Sequence, residues 1–235
     1  MSTPKAFILA GGVGTRLGDL TTDRPKALVD VCGKPIMDWI LDDLRERGVK
    51  QVALLVGHMA EQIEKRYGAG SAYGLEITYL RDEFPGTGQA ILNAIRDEPS
   101  PVLVMNGDSM LEYDLDAFIS FHKSRGGAIS LLFARAKGKD RGIVKTGDLG
   151  QVDDYIVRGK SNVIAQVNTG VYLIDQNKLT AFDTRQIISW EEDMMPMMVE
   201  RGKVFAKQCP RVLDMGTPEG LKEMSKWLEA REWLK

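Results

Sequence analysis

The stretch Phe7-Ile8-Leu9-Ala10-Gly11-Gly12-Val13-Gly14-Thr15-Arg16-Leu17 decides the fold, because an apolar strand runs directly into a glycine-rich turn with an arginine on its far side. Lys26 follows ten residues after Arg16, within Arg24-Pro25-Lys26-Ala27-Leu28. Glycines let backbone N–H groups approach phosphate oxygens without a Cβ in the way. The planar Arg16 guanidinium can grip two oxygens at once, and the compact Lys26 ammonium can follow charge that grows on a phosphate. The segment therefore predicts nucleotide chemistry.

Two familiar phosphate loops fit this segment poorly. A Walker A loop ends in Gly-Lys-Ser/Thr, which Leu17-Gly18 does not supply. A dinucleotide fingerprint needs a third glycine where Leu17 stands and a helix directly behind it, whereas Pro25 follows too soon for a long helix. A simple tight turn stays open as an alternative, although it explains neither Arg16 nor Lys26.

Composition limits the classes of partner. The chain has 235 residues, 43% hydrophobic and 27% charged, which is ordinary for a soluble globular protein of one domain. With a net charge of -2, the chain lacks the overall excess of basic residues that is typical of nucleic-acid-binding proteins. Cys32 and Cys209 match no metal spacing, and we find neither a signal peptide nor a run of membrane-spanning length. We therefore expect a reduced, cytoplasmic protein that binds no membrane.

Short apolar runs alternate with amphipathic stretches along the first half of the chain. This alternation predicts an α/β fold of βαβ units with a mixed, mostly parallel sheet flanked by helices. After about Lys137 frequent glycines separate short strands near Ile143–Lys145 and Gln151–Val157, which predicts a small β-hairpin lobe. Sheet character returns at Gly170–Ile174, and a last helix is expected from Pro218 to about Leu234.

Two acids follow apolar runs. Asp108 comes after the buried strand predicted at Val102–Met105, and Asp214 comes after Val212-Leu213. Ligands of open α/β sheets bind at the carboxyl ends of strands, and carboxylates there are natural Mg²⁺ ligands. Two carboxylates about 4 Å apart would repel by about 4 kcal/mol at an effective dielectric near 20, and a divalent cation would remove that cost. The alternatives are a turn-forming Asp108 and a helix-capping Asp214, although Thr217 fits the capping position better.

Two further turns carry weaker signals. Backbone donors of Gly86-Thr87-Gly88 at a helix start could meet a base edge or a phosphate, but taken alone the segment is a simple turn capped by Thr87. Asn168-Thr169-Gly170 precedes a strand and could hydrogen-bond a sugar, but taken alone it is a turn. His58 and His122 have no Cys or His companion at ligand spacing, so we interpret both as structural.

Together these motifs resemble those of the sugar-1-phosphate nucleotidylyltransferases. The resemblance covers nearly the whole chain in family order, and its most specific part is the N-terminal signature. The matching stretches are Leu9–Leu17, Pro25–Leu28, Gly33–Ile36, Gly86–Ala90, Asn106–Ser109, Asn168–Tyr172 and Asp214–Pro218. The Gly-Thr-Gly turn and Ser189-Trp190-Glu191-Glu192-Asp193 look most like the D-glycero-D-manno-heptose 1-phosphate guanylyltransferases. Enzymes acting on N-acetylmuramate, mannose or glucose 1-phosphate are close competitors.

The resemblance implies a Rossmann-like core with a nucleotide at one end of the sheet, and it implies a reaction of a nucleoside triphosphate with a sugar 1-phosphate. It divides the single domain, residues 1–235, into a nucleotide-binding part of about 1–136 and a sugar-binding part of about 137–235. The implied protein is a monomer or homodimer that uses Mg²⁺.

The resemblance also implies roles for individual residues. Arg16 neutralises the leaving pyrophosphate, Lys26 stabilises charge at the α-phosphate, and Asp108 and Asp214 bind Mg²⁺. The nucleotide contacts are implied at Leu9, Gly11, Gly12, Gly14, Thr15, Gly86 and Thr87. The sugar phosphate contacts are implied at Asn168, Arg158 and Glu191.

One stretch departs from the family pattern. Relatives often carry Glu-Lys after an aromatic residue in the second lobe, where this chain has Tyr155-Ile156-Val157-Arg158. Val157 cannot accept a hydrogen bond from a sugar hydroxyl, whereas Arg158 keeps a positive charge for phosphate. Two other classes stay open, a non-catalytic nucleotide sensor and a dinucleotide-dependent oxidoreductase, and the missing third glycine counts against the latter.

Overall fold

The computed structural model describes residues 3–81, 86–138, 140–160, 162–179 and 187–230. The chain divides into two compact units. The first unit consists of Met1–Asp82, Asn106–Met110 and Leu213–Lys235, and the second of Glu83–Met105 and Leu111–Val212. The predicted division of one domain near residue 136 stays a prediction.

Strands and helices are interspersed along the chain. The strands are β1 (Ala6–Leu9), β2 (Asp30–Val31), β3 (Lys34–Pro35), β4 (Gln51–Val56), β5 (Glu76–Arg81), β6 (Val102–Asn106), β7 (Ser109–Glu112), β8 (Ile129–Lys137), β9 (Ile143–Thr146), β10 (Val152–Ile156), β11 (Ile164–Ile174), β12 (Val204–Gln208) and β13 (Arg211–Asp214). The α-helices are α1 (Ile36–Glu46), α2 (Ala60–Tyr67), α3 (Thr87–Ala94), α4 (Leu115–Arg125), α5 (Met195–Glu200) and α6 (Pro218–Glu229).

Parallel pairing builds the sheet of the first unit. Strand β4 lies between β1 and β5 and runs parallel to both, with Leu9 opposite Leu55. Every residue of Val52–Val56 is buried, which is typical of a parallel strand covered on both faces. Helix α1 begins after Pro35 and buries the stripe that its periodicity predicts, including Trp39, Ile40 and Leu44. A short hairpin, β2 with β3, was not predicted.

The second unit is organised around the long strand β11. Strand β11 pairs antiparallel with β6, β8 and β9, while β12 runs parallel to β8. The predicted hairpin is confirmed as β9 with β10. The pairing of β11 with β8 shifts register between Asn168 and Tyr172, where Gly170 has a positive φ of 75°. The predicted turn at 168–170 is therefore an irregularity inside one strand, and β11 begins at Ile164 rather than at Gly170.

The later helices differ in detail from the prediction. The sequence also predicts a helix near Glu191–Glu200, where the structure has a π-helical turn, Trp190–Met194, that leads into α5. Helix α6 begins at Pro218 as predicted, and the predicted end at Leu234 lies outside the described residues. None of the helices within the described ranges is long and apolar enough to cross a bilayer.

Candidate functional site

The glycine turn after β1 combines one glycine that the fold requires with one that it does not. Gly14 has a φ of 72°, and a Cβ there would lie 2.9 Å from Thr21 Cγ2 and 3.1 Å from Lys26 Cβ. Gly12 has no such constraint, because a Cβ built there meets no heavy atom within 4 Å. Packing therefore explains Gly14, whereas Gly12 leaves open space beside the backbone, as close approach by a ligand would need. A short 3₁₀-helix, Thr15–Thr21, follows in place of the long helix of a dinucleotide fold.

The turn between β6 and β7 brings Asp108 to Lys26. Gly107 N donates to Leu9 O at 3.0 Å, which fixes this turn against the end of β1. Lys26 Nζ contacts Asp108 Oδ2, and Ser109 Oγ donates to Asp108 Oδ1 at 3.1 Å. The side chains of Lys26 and Asp108 are 13% and 25% exposed, so this is a partly shielded ion pair. The sequence predicted both residues, but not their contact.

The loop after β13 brings Asp214 to the same place. Met215 N donates to Asp108 O at 3.0 Å, and Gly216 N donates to Asp214 Oδ1 at 2.6 Å. A Cβ built on Gly216 would lie 2.8 Å from Asp214 Oδ1, 2.9 Å from Arg16 Nη2 and 3.4 Å from Lys26 Nζ. The three charged groups therefore surround a single point beside Gly216.

Helix capping does not account for Asp214. Thr217 is the N-cap residue of α6, and its Oγ1 accepts from Gly220 N at 3.1 Å. Arg16, Lys26, Asp108 and Asp214 thus converge within the first unit, with two cations and two carboxylates close together.

The donor chemistry of this cluster fits Mg²⁺. Asp108 and Asp214 offer hard carboxylate oxygens, and Mg²⁺ is commonly held by one or two carboxylates plus substrate phosphates. Across the described ranges, no group of three or more His, Cys, Asp or Glu side chains could hold a metal ion. Binding of Mg²⁺ by Asp108 and Asp214 stays a prediction.

The predicted base-binding turn in the second unit is held by the chain itself. Gly86 has a φ of 139°, and a Cβ there would lie 2.5 Å from Ile188 O, while Gly88 N donates to Ile188 O at 2.8 Å. Thr87 does not cap α3, because the N-cap residue is Gly86 and no side chain caps this helix. Thr87 Oγ1 instead accepts from Trp190 N at 3.0 Å. The glycines are explained by the close approach of Ile188, and their contact with a base stays a prediction.

The predicted sugar residues Asn168 and Glu191 belong to one hydrogen-bonded cluster. Asn168 Nδ2 lies 3.0 Å from Tyr155 Oη, 2.6 Å from Tyr172 Oη and 3.3 Å from Glu191 Oε1. Tyr172 Oη also donates to Glu191 Oε1 at 3.3 Å. Burial, reinforced by the charge of Glu191, raises the pKa of both tyrosines, so both hydroxyls stay protonated at neutral pH.

Arg158 is separate from this hydrogen-bonded set. Its guanidinium Nε donates to Glu192 Oε1 at 3.0 Å, and both side chains are exposed. Its predicted role toward the sugar phosphate stays a prediction.

Sequence reasoning missed three neighbours of the site residues: Ser109, Gly216 and Tyr172. All three stand within the matching motifs, but only the fold reveals what they contact.

Comparisons with known proteins agree on one family. A family model described as "Nucleotidyl transferase" matches residues 5–231. The mannose-1-phosphate guanylyltransferase catalytic subunit beta of Danio rerio is 30% identical over 223 residues, which is 92% of this chain and 62% of that protein. The mannose-1-phosphate guanylyltransferase of Mycobacterium tuberculosis is 30% identical over 223 residues, which is 91% of this chain and 61% of that protein. The chain thus spans less than two thirds of the length of these relatives.

A solved structure matches almost end to end. HddC from Yersinia pseudotuberculosis, complexed with GMP-PN, superposes with a TM-score of 0.78 at 25% sequence identity. The superposition covers 96% of this chain and 99% of that chain. The predicted α/β architecture, a mixed, mostly parallel sheet flanked by helices, is confirmed.

Proposed function

Because the chain belongs to the nucleotidyl transferase family, we propose that it is an enzyme that condenses a nucleoside triphosphate with a sugar 1-phosphate. The products are a nucleoside diphosphate sugar and pyrophosphate. The observation that carries the proposal is the convergence of Arg16, Lys26, Asp108 and Asp214 within the first unit. Binding alone would not need two cations and two acids in one place.

The chemistry asks mainly for positioning and charge neutralisation. An oxygen of the sugar phosphate attacks the α-phosphorus in line, and the bond from that phosphorus to the bridging oxygen of the leaving pyrophosphate breaks. The attacking oxygen is already ionised, so little proton transfer is required. Lys26 stabilises the charge that grows at the α-phosphate, and Arg16 neutralises the pyrophosphate. Asp108 and Asp214 would hold Mg²⁺, which would supply further neutralisation of the phosphate oxygens.

We propose GTP as the nucleotide and D-glycero-D-manno-heptose 1-phosphate as the acceptor. The names of the curated relatives and the GMP-PN complex of the solved neighbour both support a guanine nucleotide. The heptose rests on the resemblance of the Gly86–Ala90 turn and of Ser189–Asp193. Mannose 1-phosphate is the second candidate acceptor, because the relatives at 30% identity are named for it. Asn168 and Glu191 would bind the acceptor's hydroxyls, and Arg158 its phosphate.

A substrate panel tests the proposal. GTP, UTP, dTTP and ATP are each paired with heptose, mannose, glucose and N-acetylmuramate 1-phosphates, and pyrophosphate release is recorded with Mg²⁺ present. We expect release with GTP and the heptose. Release with UTP or dTTP alone would overturn the guanine assignment, and nucleotide binding without release in every pair would favour a non-catalytic sensor.

A variant pair links the activity to the cluster. Lys26→Ala should lose about 100-fold or more in turnover, because it removes charge stabilisation at the reacting phosphorus. Lys34→Ala is the matched control, since Lys34 also pairs with an aspartate, Asp42, but lies outside the cluster. Equal turnover of both variants would show that Lys26 takes no part in the reaction.

The proposal extends to a cytoplasmic monomer or homodimer, which light scattering and cell fractionation would test.

A further inference from the structure

Both carboxylate oxygens of Asp108 already have partners in the protein. Lys26 Nζ contacts Oδ2, and Ser109 Oγ donates to Oδ1 at 3.1 Å. Ser109 is 4% exposed, so its bond orients the carboxylate from inside the fold. A ligand that approaches Asp108 Oδ2 would therefore meet the Lys26 ammonium.

The Lys26 ammonium also lies close to the second acid. Lys26 Nζ and Asp214 Oδ1 both lie within 3.4 Å of the point where a Cβ of Gly216 would stand. The hydrogen bond from Met215 N to Asp108 O ties the two acidic segments together, so the acids approach each other whether or not Lys26 is charged. The ammonium therefore supplies positive charge where two carboxylates would otherwise repel.

We propose that Lys26 is an exchangeable counter-ion of Asp108, and that a divalent cation and Lys26 compete for this carboxylate. The like charges of ammonium and metal repel each other at a shared carboxylate, so contact by one weakens contact by the other, and the flexible four-carbon stem lets Lys26 turn away. A metal that takes Asp108 thereby releases Lys26 toward a phosphate. The proposal rests on the proposed function only for assigning the cation to Asp108. It implies that metal binding controls the position of the Lys26 ammonium.

Metal binding without nucleotide tests this competition. Mn²⁺ is titrated into the full chain, and the free ion is counted by electron paramagnetic resonance at fixed ionic strength. A charge-assisted hydrogen bond contributes about 1.5–3 kcal/mol, so Lys26→Met should bind Mn²⁺ roughly 10-fold to 100-fold more tightly than the unmodified protein. Lys34→Met makes the same change in net charge at the Lys34–Asp42 pair. It should change the affinity for Mn²⁺ less than about threefold, because salt screens distant charges.

A second substitution locates the gained site. Asp108→Asn in the Lys26→Met background should abolish the gain. Lys26→Gln serves as a second variant should Lys26→Met fail to fold, which near-ultraviolet circular dichroism reports, and the same tightening is expected.

Three results would overturn the proposal: equal Mn²⁺ affinity with and without Lys26, no Mn²⁺ binding by either protein, or a gain that survives Asp108→Asn. Pyrophosphate release by the unmodified protein is measured in parallel. If the unmodified protein is active but Lys26→Met binds Mn²⁺ with unchanged affinity, only the competition is refuted. If Lys26→Met binds Mn²⁺ more tightly but the unmodified protein is inactive with every substrate pair, only the proposed function is refuted.

Discussion

Gly216 illustrates how a single residue without a side chain can organise charged groups. Asp214, Arg16 and Lys26 all reach the space where its Cβ would stand. The need for glycine at this position comes from these neighbours, because Gly216 is absent from the glycines with positive φ. Its amide also holds Asp214 in place.

Gly216→Ala should therefore impair turnover while the fold persists. The methyl group would approach Asp214 Oδ1 to 2.8 Å and Arg16 Nη2 to 2.9 Å, so both groups must move. Misplacement by about 1 Å can cost on the order of 100-fold in rate. The measurement is kcat by pyrophosphate release together with the thermal unfolding midpoint.

Gly68→Ala provides the contrasting control. Gly68 has a φ of 51° at the end of α2, with open space around it. Alanine should cost about 1–3 kcal/mol of stability through backbone strain and leave kcat unchanged. If both variants lost stability and kept kcat, the placement of Gly216 among the reacting groups would be contradicted.

The charged residues of the cluster could be predicted from sequence, but their environment could not. Arg16, Lys26, Asp108 and Asp214 have side chains whose chemistry suggests phosphate or metal wherever they occur. Gly216 gives no such signal, because its importance depends on groups far away in sequence.

Among the elements, helix α6 depends on its first residues. Thr217 Oγ1 accepts from Gly220 N at 3.1 Å, and Pro218 begins the helix. The sequence predicted this start because capping is local, with donor and acceptor only three residues apart. Since Thr217 caps the helix, Asp214 is not needed for that role.

Thr217→Ala should lower the free energy of unfolding by about 1 kcal/mol, because an N–H of the first turn loses its acceptor. Ser225→Ala is the control in the same helix, since its hydroxyl donates back to Leu221 O and its loss should change stability by less than about 0.5 kcal/mol. Urea unfolding of both variants gives the comparison. Equal effects would contradict the assignment of the cap.

The start of α3 depends instead on a distant segment. Thr87 accepts from Trp190 N across 103 residues of sequence, which no local pattern could predict. The sequence therefore suggested a cap at Thr87 where the structure has a tertiary contact.

Thr87→Val should cost about 1–3 kcal/mol of stability, because it leaves the Trp190 N–H without its acceptor. Thr87→Ser keeps the hydroxyl and should retain most of the stability. Chemical denaturation followed by tryptophan fluorescence measures both variants. A valine variant as stable as the serine variant would show that this bond contributes little.

At the scale of the whole molecule, stability should depend on pH through His122. Burial lowers the pKa of His122 from 6.5 to about 4, reinforced by the charge of Lys178 and opposed by Asp175. The ring is 4% exposed, and its Nδ1 lies 2.8 Å from Ser130 Oγ. This burial and this contact agree with the structural interpretation of His122, which stays a prediction.

Protons bind the unfolded chain first, because the folded pKa of His122 is the lower one. The contribution of neutral His122 to the free energy of unfolding is complete above about pH 6.5 and is lost as the pH falls toward about 4. At about pH 5 the free energy of unfolding should be lower by about 2 kcal/mol. His122→Gln should remove this part of the dependence of unfolding free energy on pH between about pH 7 and pH 5. Urea unfolding midpoints at several pH values would measure it. A variant with the slope of the unmodified protein would contradict the prediction.

The order of residues along the chain also matters for the whole molecule. The first unit takes Asn106–Met110 and Leu213–Lys235 from chain that comes after long excursions into the second unit. Sequence patterns identify strands and helices, but they do not say which distant strands return to which unit. The hairpin lobe, by contrast, was predictable, because β9 and β10 are neighbours in sequence as well as in space.

This late return bears on how the protein is made. A growing chain emerges from the ribosome with Arg16 and Lys26 before Asp108, and Asp214 follows only after the excursion over Leu111–Val212. Until Leu213 and the residues behind it have been translated, the first unit lacks both helix α6 and its second acid. The nascent protein can accordingly bring all four charged residues of the cluster together only after Asp214 has been made.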